Sequence, residues 1–276
     1  MNVVGWRRPR VMTEILFGAW RIYERHFWPL FLVALVTAPL QLLSVIVQRT
    51  ASDAVAVAVT NLLVIPTVVV TVVATGALIH AVHTLTADQA VEAGSAIDAG
   101  LASFWPLLMS GLLLAAMLFL SLFAFPFLLF AWLFGRGQVD GRRSWYFLIP
   151  FVLTFYLSVR WSLYQQGVMI DGRRHWAALD VSADLVRGAW WRVFGILFVL
   201  GLTQLGPAAL AGAAAVAPPL VEGTVVAVVS ALVLPFSVAA QTLLYYDLKA
   251  RKTLDLGVAP VATAEPDLQR EGPRDI

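Results

Sequence analysis

Six long apolar runs alternate with short polar stretches along this chain. They are Trp28 to Gln48, Leu62 to Thr84, Trp105 to Phe134, Trp145 to about Met169, Trp190 to Val216 and Thr224 to Tyr246. Each is near or above the roughly 20 residues that an α-helix needs to cross about 30 Å of hydrocarbon. Runs this long leave no polar face for water, so a soluble bundle fits poorly. The third run, built as one helix, would be about 45 Å long, so it must tilt, protrude or kink near Pro126.

Three polar stretches carry apolar residues at helical spacing and precede the first, third and fifth runs. In the first, Thr13 can cap a helix with Glu14 in its first turn, and Leu16, Ala19, Trp20, Tyr23 and Phe27 share a face opposite Arg21, Glu24 and Arg25. The second, Asp88 to Ser103, places Ala90, Ile97, Leu101 and Phe104 together. The third, Arg173 to Ala189, aligns Ala178, Val181, Leu185 and Ala189 away from Asp180, Asp184 and Arg187. The expected fold is all-α: a polytopic integral membrane protein of six transmembrane helices, with amphipathic interfacial helices before spans 1, 3 and 5. Residues 1–12 read as a flexible basic arm, 13–252 as the membrane domain and 253–276 as a disordered tail. Arg49 to Asn61 reads as a polar connection, and Gly135 to Ser144 as a Gly/Arg turn.

Composition agrees. Apolar residues make up 60% of the 276 and charged residues 13%, against roughly 25% charged in ordinary soluble domains. The chain has no cysteine, which excludes disulfides, thiolate metal sites and cysteine nucleophiles. A net charge of only +2, with arginines gathered at the ends of apolar runs, suits a membrane surface and gives no nucleic-acid footprint. No cleavable signal peptide is expected. With the N-terminus cytoplasmic, thirteen Lys and Arg near the spans fall on that side. Four fall outside, Arg49, Arg136, Arg142 and Arg143. The last three imply either that the 135–143 turn meets headgroups or that the third span is re-entrant. Both termini are thus expected in the cytoplasm and the protein in the plasma membrane.

Phe-Trp-Pro-Leu occurs at 27–30 and 104–107, and Trp-Trp-Arg-Val stands in the matching place at 190–193. Each follows an amphipathic stretch. This suggests three helical-hairpin units, about 13–88, 89–171 and 172–247, ending at Asp88, Asp171 and Asp247. Interfacial Trp and a Pro at a helix start would give the same spacing without any repeat.

The segment from Val159 to Leu197 holds an acidic corner at Asp171, an Ala-Leu-x-x-Ser helix, then Leu-Val-x-Gly and Trp-Arg-Val-Phe-Gly. With TLLYYDLKARK at 242–252 and AWRIYERHFWPLF at 19–31, it resembles the bacterial glycerophosphoryl diester phosphodiesterase membrane domain family over roughly residues 13–252. Asp180-Val181-Ser182 departs from the basic residues usual there. The resemblance implies a six-helix bacterial membrane domain. The soluble catalytic barrel that follows it in some members is not expected in the 24 residues after Lys252.

No chemistry of catalysis assembles in the sequence. His80 and His83 share a helix face near Asp88 but lack a third strong ligand, and there is no Walker motif or glycine fingerprint. The chain is therefore expected to be no enzyme, with no metal or cofactor. The candidate lipid- or partner-contact residues are Arg160, Asp171, Arg173, Arg174, Arg187, Trp190, Trp191 and Arg192. The expected function is a membrane module that organises either a partner protein or anionic lipid at the cytoplasmic face. The alternative is a small-molecule or lipid transporter whose polar path runs near Arg160, with Gln41, Gln204 and Gln241.

Overall fold

The computed structural model describes residues 10–87, 89–124 and 148–255, and its regular structure there is entirely helical. In chain order the helices are α1 (Met12–Arg25), α2 (Phe27–Leu35), α3 (Ala38–Thr50), α4 (Asp53–Thr86), α5 (Ala93–Ala102) and α6 (Phe104–Phe119). A π-turn (Leu120–Ala124) extends α6. Then come α7 (Leu148–Arg160), α8 (Tyr164–Asp171), α9 (Trp176–Val186), α10 (Trp190–Thr203), α11 (Leu205–Ala214) and α12 (Pro219–Asp255). The expected arm before Arg10, the unit end at Asp88, the kink at Pro126, the 135–144 turn and the tail from 256 lie outside the described residues.

Several boundaries differ from the sequence reading, for local reasons. The polar connection expected over Arg49–Asn61 shrinks to Ala51 and Ser52, because α4 already begins at Asp53. Asp53 suits the positive end of the helix dipole, and neither Gly nor Pro interrupts residues 54–61. The last helix does not stop at Tyr246. The good helix formers of Leu-Lys-Ala-Arg-Lys carry α12 to Asp255, 37 residues in all. Thr13 is not a cap: α1 starts one residue earlier, and Glu14 reaches back to the Val11 amide.

Four helical stretches are long and apolar enough to cross a membrane: Asp53–Thr86, Phe104–Phe123, Trp190–Ala214 and Pro219–Leu254. The pair α2 and α3, bent by 45°, makes a fifth if counted as one span. The bend is local chemistry. Pro39 lacks the amide that would extend the helix, and the Thr37 hydroxyl takes the Ala34 carbonyl at 2.9 Å. The expected fourth span is, in its described part, the 13-residue α7 and the 8-residue α8. Buried Ser182 of α9 fills the break between them. Its hydroxyl accepts the Leu163 amide at 3.2 Å and donates to the Arg160 carbonyl at 3.0 Å, so neither freed backbone group is left bare.

The amphipathic stretches form α1, α5 and α9, but their buried faces are shifted from those expected. In α1 the buried side is Ile15, Gly18, Ala19, Ile22 and Tyr23. Phe17 and Trp20 face outward. In α5 the inner residues are Ala96 and Gly100, and Leu101 is exposed. Small residues take the inner positions of α5 because it packs backbone to backbone on α4. α1 lies against the C-terminal part of α12 in the opposite sense, from Arg10 at Asp247 to Trp20 edge-on to Phe236.

The packing runs in a cycle. α1 lies on α12, α5 on α4 and α9 on α8. The helices α4, α8 and α12 touch one another, while α2–α3, α6 and α10–α11 fill the gaps between them. The main core joins Leu30, Val33, Leu78, Ile79, Ile196, Leu243 and Leu244 from all three sectors.

Gly100 is the tightest crossing. A Cβ there would lie 2.5 Å from the Val73 carbonyl oxygen and 2.9 Å from the Ala77 amide nitrogen, both backbone atoms of α4. Gly94, on the same helix, has nothing within 4 Å. Gly100→Ala is therefore expected to destabilise the detergent-solubilised protein by about 3 kcal/mol, and Gly94→Ala to change stability by less than about 1 kcal/mol. Thermal unfolding of the two variants side by side checks this.

Candidate functional site

Helix α12 carries three basic residues, Lys249, Arg251 and Lys252, within four positions, and the long helix delivers them to the end of the bundle where α9 turns into α10. Gly188, with φ +84°, allows that turn. Between the two elements lies a groove of about 770 Å3, lined by Asp184, Arg187, Trp191, Arg192, Arg251 and Lys252 with Leu185, Leu248 and Leu254.

The groove's wall is built on Asp247. Its side chain is only 1% exposed, and such a carboxylate survives burial only if its charge and lone pairs are all met. Three segments meet them. The Arg10 amide donates to Oδ1 at 2.6 Å, and Arg192 Nε and Arg251 Nε donate to Oδ2, each at 3.0 Å. Arg192 and Arg251 also donate to the Arg10 carbonyl, the second at 2.7 Å. The backbone of one residue of the expected flexible arm is thus gripped from both sides. Further out, Lys252 pairs with Asp184. With Arg10 not counted, four cations, Arg187, Arg192, Arg251 and Lys252, face two carboxylates, Asp184 and Asp247, an excess of two positive charges. Trp191, 76% exposed, stands at the rim.

The structure divides the candidate residues. Arg187, Trp191 and Arg192 come together in the groove. Trp190 does not join them. It stacks between Tyr156 and Phe194 and donates from Nε1 to the Tyr156 carbonyl, which makes it a packing residue. Asp171 ends α8 and ties it to α12, accepting from the Tyr245 hydroxyl at 2.7 Å and from Lys249 at 2.5 Å. Arg173 and Arg174 are exposed on the turn after α8, outside the groove. That turn needs Gly172 at φ +64° and holds His175 at φ +52°, its amide taken by Ser110 of α6 at 3.0 Å. Arg160 donates to the Tyr156 hydroxyl one turn back, 3.3 Å away, and has no carboxylate partner among the described residues. It lines a small cleft of about 90 Å3 with Arg187, Gly188 and Trp190. Gln41 donates to Thr37, its neighbour at the α2–α3 bend.

Sequence reasoning missed Arg10, Asp184, Asp247, Arg251 and Lys252 as site residues. The signal was present in TLLYYDLKARK, where an acidic residue is followed four positions later by Arg251 on one helix face. It was misread as a helix end. Among the described residues no group of three or more His, Asp or Glu side chains could hold a metal, and His83 is engaged with the Tyr246 hydroxyl.

Asp247→Asn keeps the side-chain shape but removes the charge and turns one oxygen into a donor facing two guanidiniums. The expected cost is about 3 kcal/mol. Hydrogen exchange in α1 should accelerate with it, because the grip on Arg10 is lost. Exchange mass spectrometry reads both effects, and Arg251→Gln should cost less because Arg192 still meets Oδ2.

Comparison of the chain with protein-family models, with curated proteins and with solved structures finds no match.

Proposed function

We propose that the chain is a non-enzymatic integral membrane module whose basic groove holds the headgroup of an anionic lipid at the cytoplasmic face of a bacterial plasma membrane. The groove itself carries this reading: an open basin with two net positive charges, an exposed Trp at its rim and a wall braced by a buried ion cluster. Cations and indole side by side suit the headgroup layer, where each Lys or Arg contributes about 1 kcal/mol toward anionic lipid.

The same reading takes the bundle as six spans, with α7 and α8 belonging to the span that begins before residue 148, and both termini cytoplasmic. It is supported by the gathering of Arg and Lys at the groove end, against one pair among the described residues, Arg49–Glu222 between α3 and the start of α12, at 2.9 Å. The elbow's resemblance to the phosphodiesterase membrane domain family is carried within this proposal, for the membrane portion alone. A transport path is less well supported. The cleft at Arg160 has room for about three waters. The carboxylates nearest the groove, Asp171, Asp184 and Asp247, are each bound to a cation.

Two measurements test this. On the cysteine-free background, single cysteines at Asp53, Gly137 and Glu222 should label from outside intact cells. Those at Ser95, Arg173 and Thr253 should label only after permeabilisation. Protection at Gly137 would remove the six-span topology. Separately, Arg187→Gln with Lys252→Gln spares the Asp247 cluster and should weaken retention of anionic lipid by about 2 kcal/mol, seen as lipid loss on purification. Release of glycerol phosphate from a glycerophosphodiester by the pure protein would sink the non-enzymatic reading.

A further inference from the structure

Along α1 runs an apolar groove of about 450 Å3, lined by Thr13, Leu16, Phe17, Trp20 and Phe236. The first four recur at three- and four-residue steps, so they share one face of α1. Its outer part is turned away from α1's buried side, with Phe17 71% and Trp20 54% exposed, while Leu16 is partly buried against the core. The two grooves share no lining residue and are linked through the start of α1. Arg192 and Arg251 of the basic one hold the Arg10 carbonyl, and only Val11 and Met12 separate Arg10 from Thr13. Met12 in turn rests on α10, where a Cβ at Gly195 would touch its Sδ at 3.5 Å. From Thr13 to Trp20 the apolar groove extends for about 10 Å along α1, away from the charges.

We infer that the two grooves form one site for a phosphate-monoester phospholipid, its dianionic phosphate in the basic groove and the first part of an acyl chain along Leu16, Phe17 and Trp20. The inference rests on the lipid-binding reading above and names the lipid class. The charge balance selects the headgroup. Two net positive charges match a phosphate monoester near −2, whereas a phosphodiester brings only −1. Arg187 has no ion pair among the described residues, and Lys252 is at the solvent edge of the groove with a single carboxylate, so these two can turn to a ligand while the Asp247 cluster stays closed. Guanidinium and phosphate also share bidentate geometry. The apolar groove selects a lipid over a free phosphate, because a soluble phosphomonoester would leave its aromatic lining bare.

The full chain, purified in a non-ionic detergent, is offered dioleoyl phosphatidate or dioleoyl phosphatidylglycerol and read by native mass spectrometry. Soluble glycerol 3-phosphate is titrated by calorimetry. Phosphatidate should bind about five-fold more tightly than phosphatidylglycerol. Phe17→Ser, at an exposed position, should weaken phosphatidate about ten-fold and leave glycerol 3-phosphate unchanged. Leu112→Ser, at an exposed site on α6, should change neither. Equal binding of the two lipids, or equal losses for Phe17→Ser and Leu112→Ser, overturns the inference and leaves the lipid-binding reading standing. Absence of binding to both lipids and to glycerol 3-phosphate overturns that reading as well.

Discussion

A carboxylate as buried as Asp247 can persist only where cations and donors converge on it, and two distant parts of the chain and its own helix supply them. Arg192 comes from the start of α10, Arg251 from one turn along α12, and the Arg10 amide from just before α1. Removing the carboxylate would leave Arg192 and Arg251 facing each other with no anion between them, whereas losing Arg251 alone leaves Arg192 on Oδ2. Its consequence is positional. The start of α1 is pinned to the end of α12, α10 is held against both, and the basic groove inherits a rigid wall.

Elsewhere the same constraint is met with uncharged groups. Where a helix breaks, its freed amide and carbonyl need partners. Ser182 supplies both at the α7–α8 break, Thr37 takes a carbonyl at the α2–α3 bend, and Ser110 accepts the His175 amide at the elbow. Each hydroxyl lets an irregular corner lie inside the bundle. Small residues do the complementary work between helices. At Gly100 the backbones of α4 and α5 approach so closely that no side chain fits, and this crossing is one of the three in the cycle of α1 on α12, α5 on α4 and α9 on α8.

The groove follows from these two devices together. Tight crossings and satisfied corners fix where α9, α10 and α12 end, and the basic residues at those ends then have nowhere to spread. The Asp247 cluster absorbs part of their charge and leaves a defined excess beside an exposed indole. In the proposed setting, a surface of this kind at headgroup depth exchanges water for lipid phosphate at little cost in protein reorganisation, because its wall is already formed.

Much of this was legible in the residues. The long apolar runs Leu62–Thr84 and Thr224–Tyr246 read as helices, since in an apolar surrounding each backbone group has to be met within its own segment, although the helices that hold them run further, Asp53–Thr86 and Pro219–Asp255. The amphipathic stretches and the Arg- and Trp-rich elbow were visible as well, because periodicity and composition are local properties. Which face of α1 is buried was not. Its apolar residues nearly encircle the helix, and only contact with α12 decided that Ile15 and Ile22 go in while Phe17 and Trp20 stay out. The division of the arginines was equally hidden. Arg174 and Arg192 look alike along the chain, yet one stays on an exposed turn while the other meets Asp247, 55 residues later. Charge pairing over such distances depends on where helices end in space. Those endpoints are settled by packing at glycines and hydroxyls that carry no periodic signal of their own.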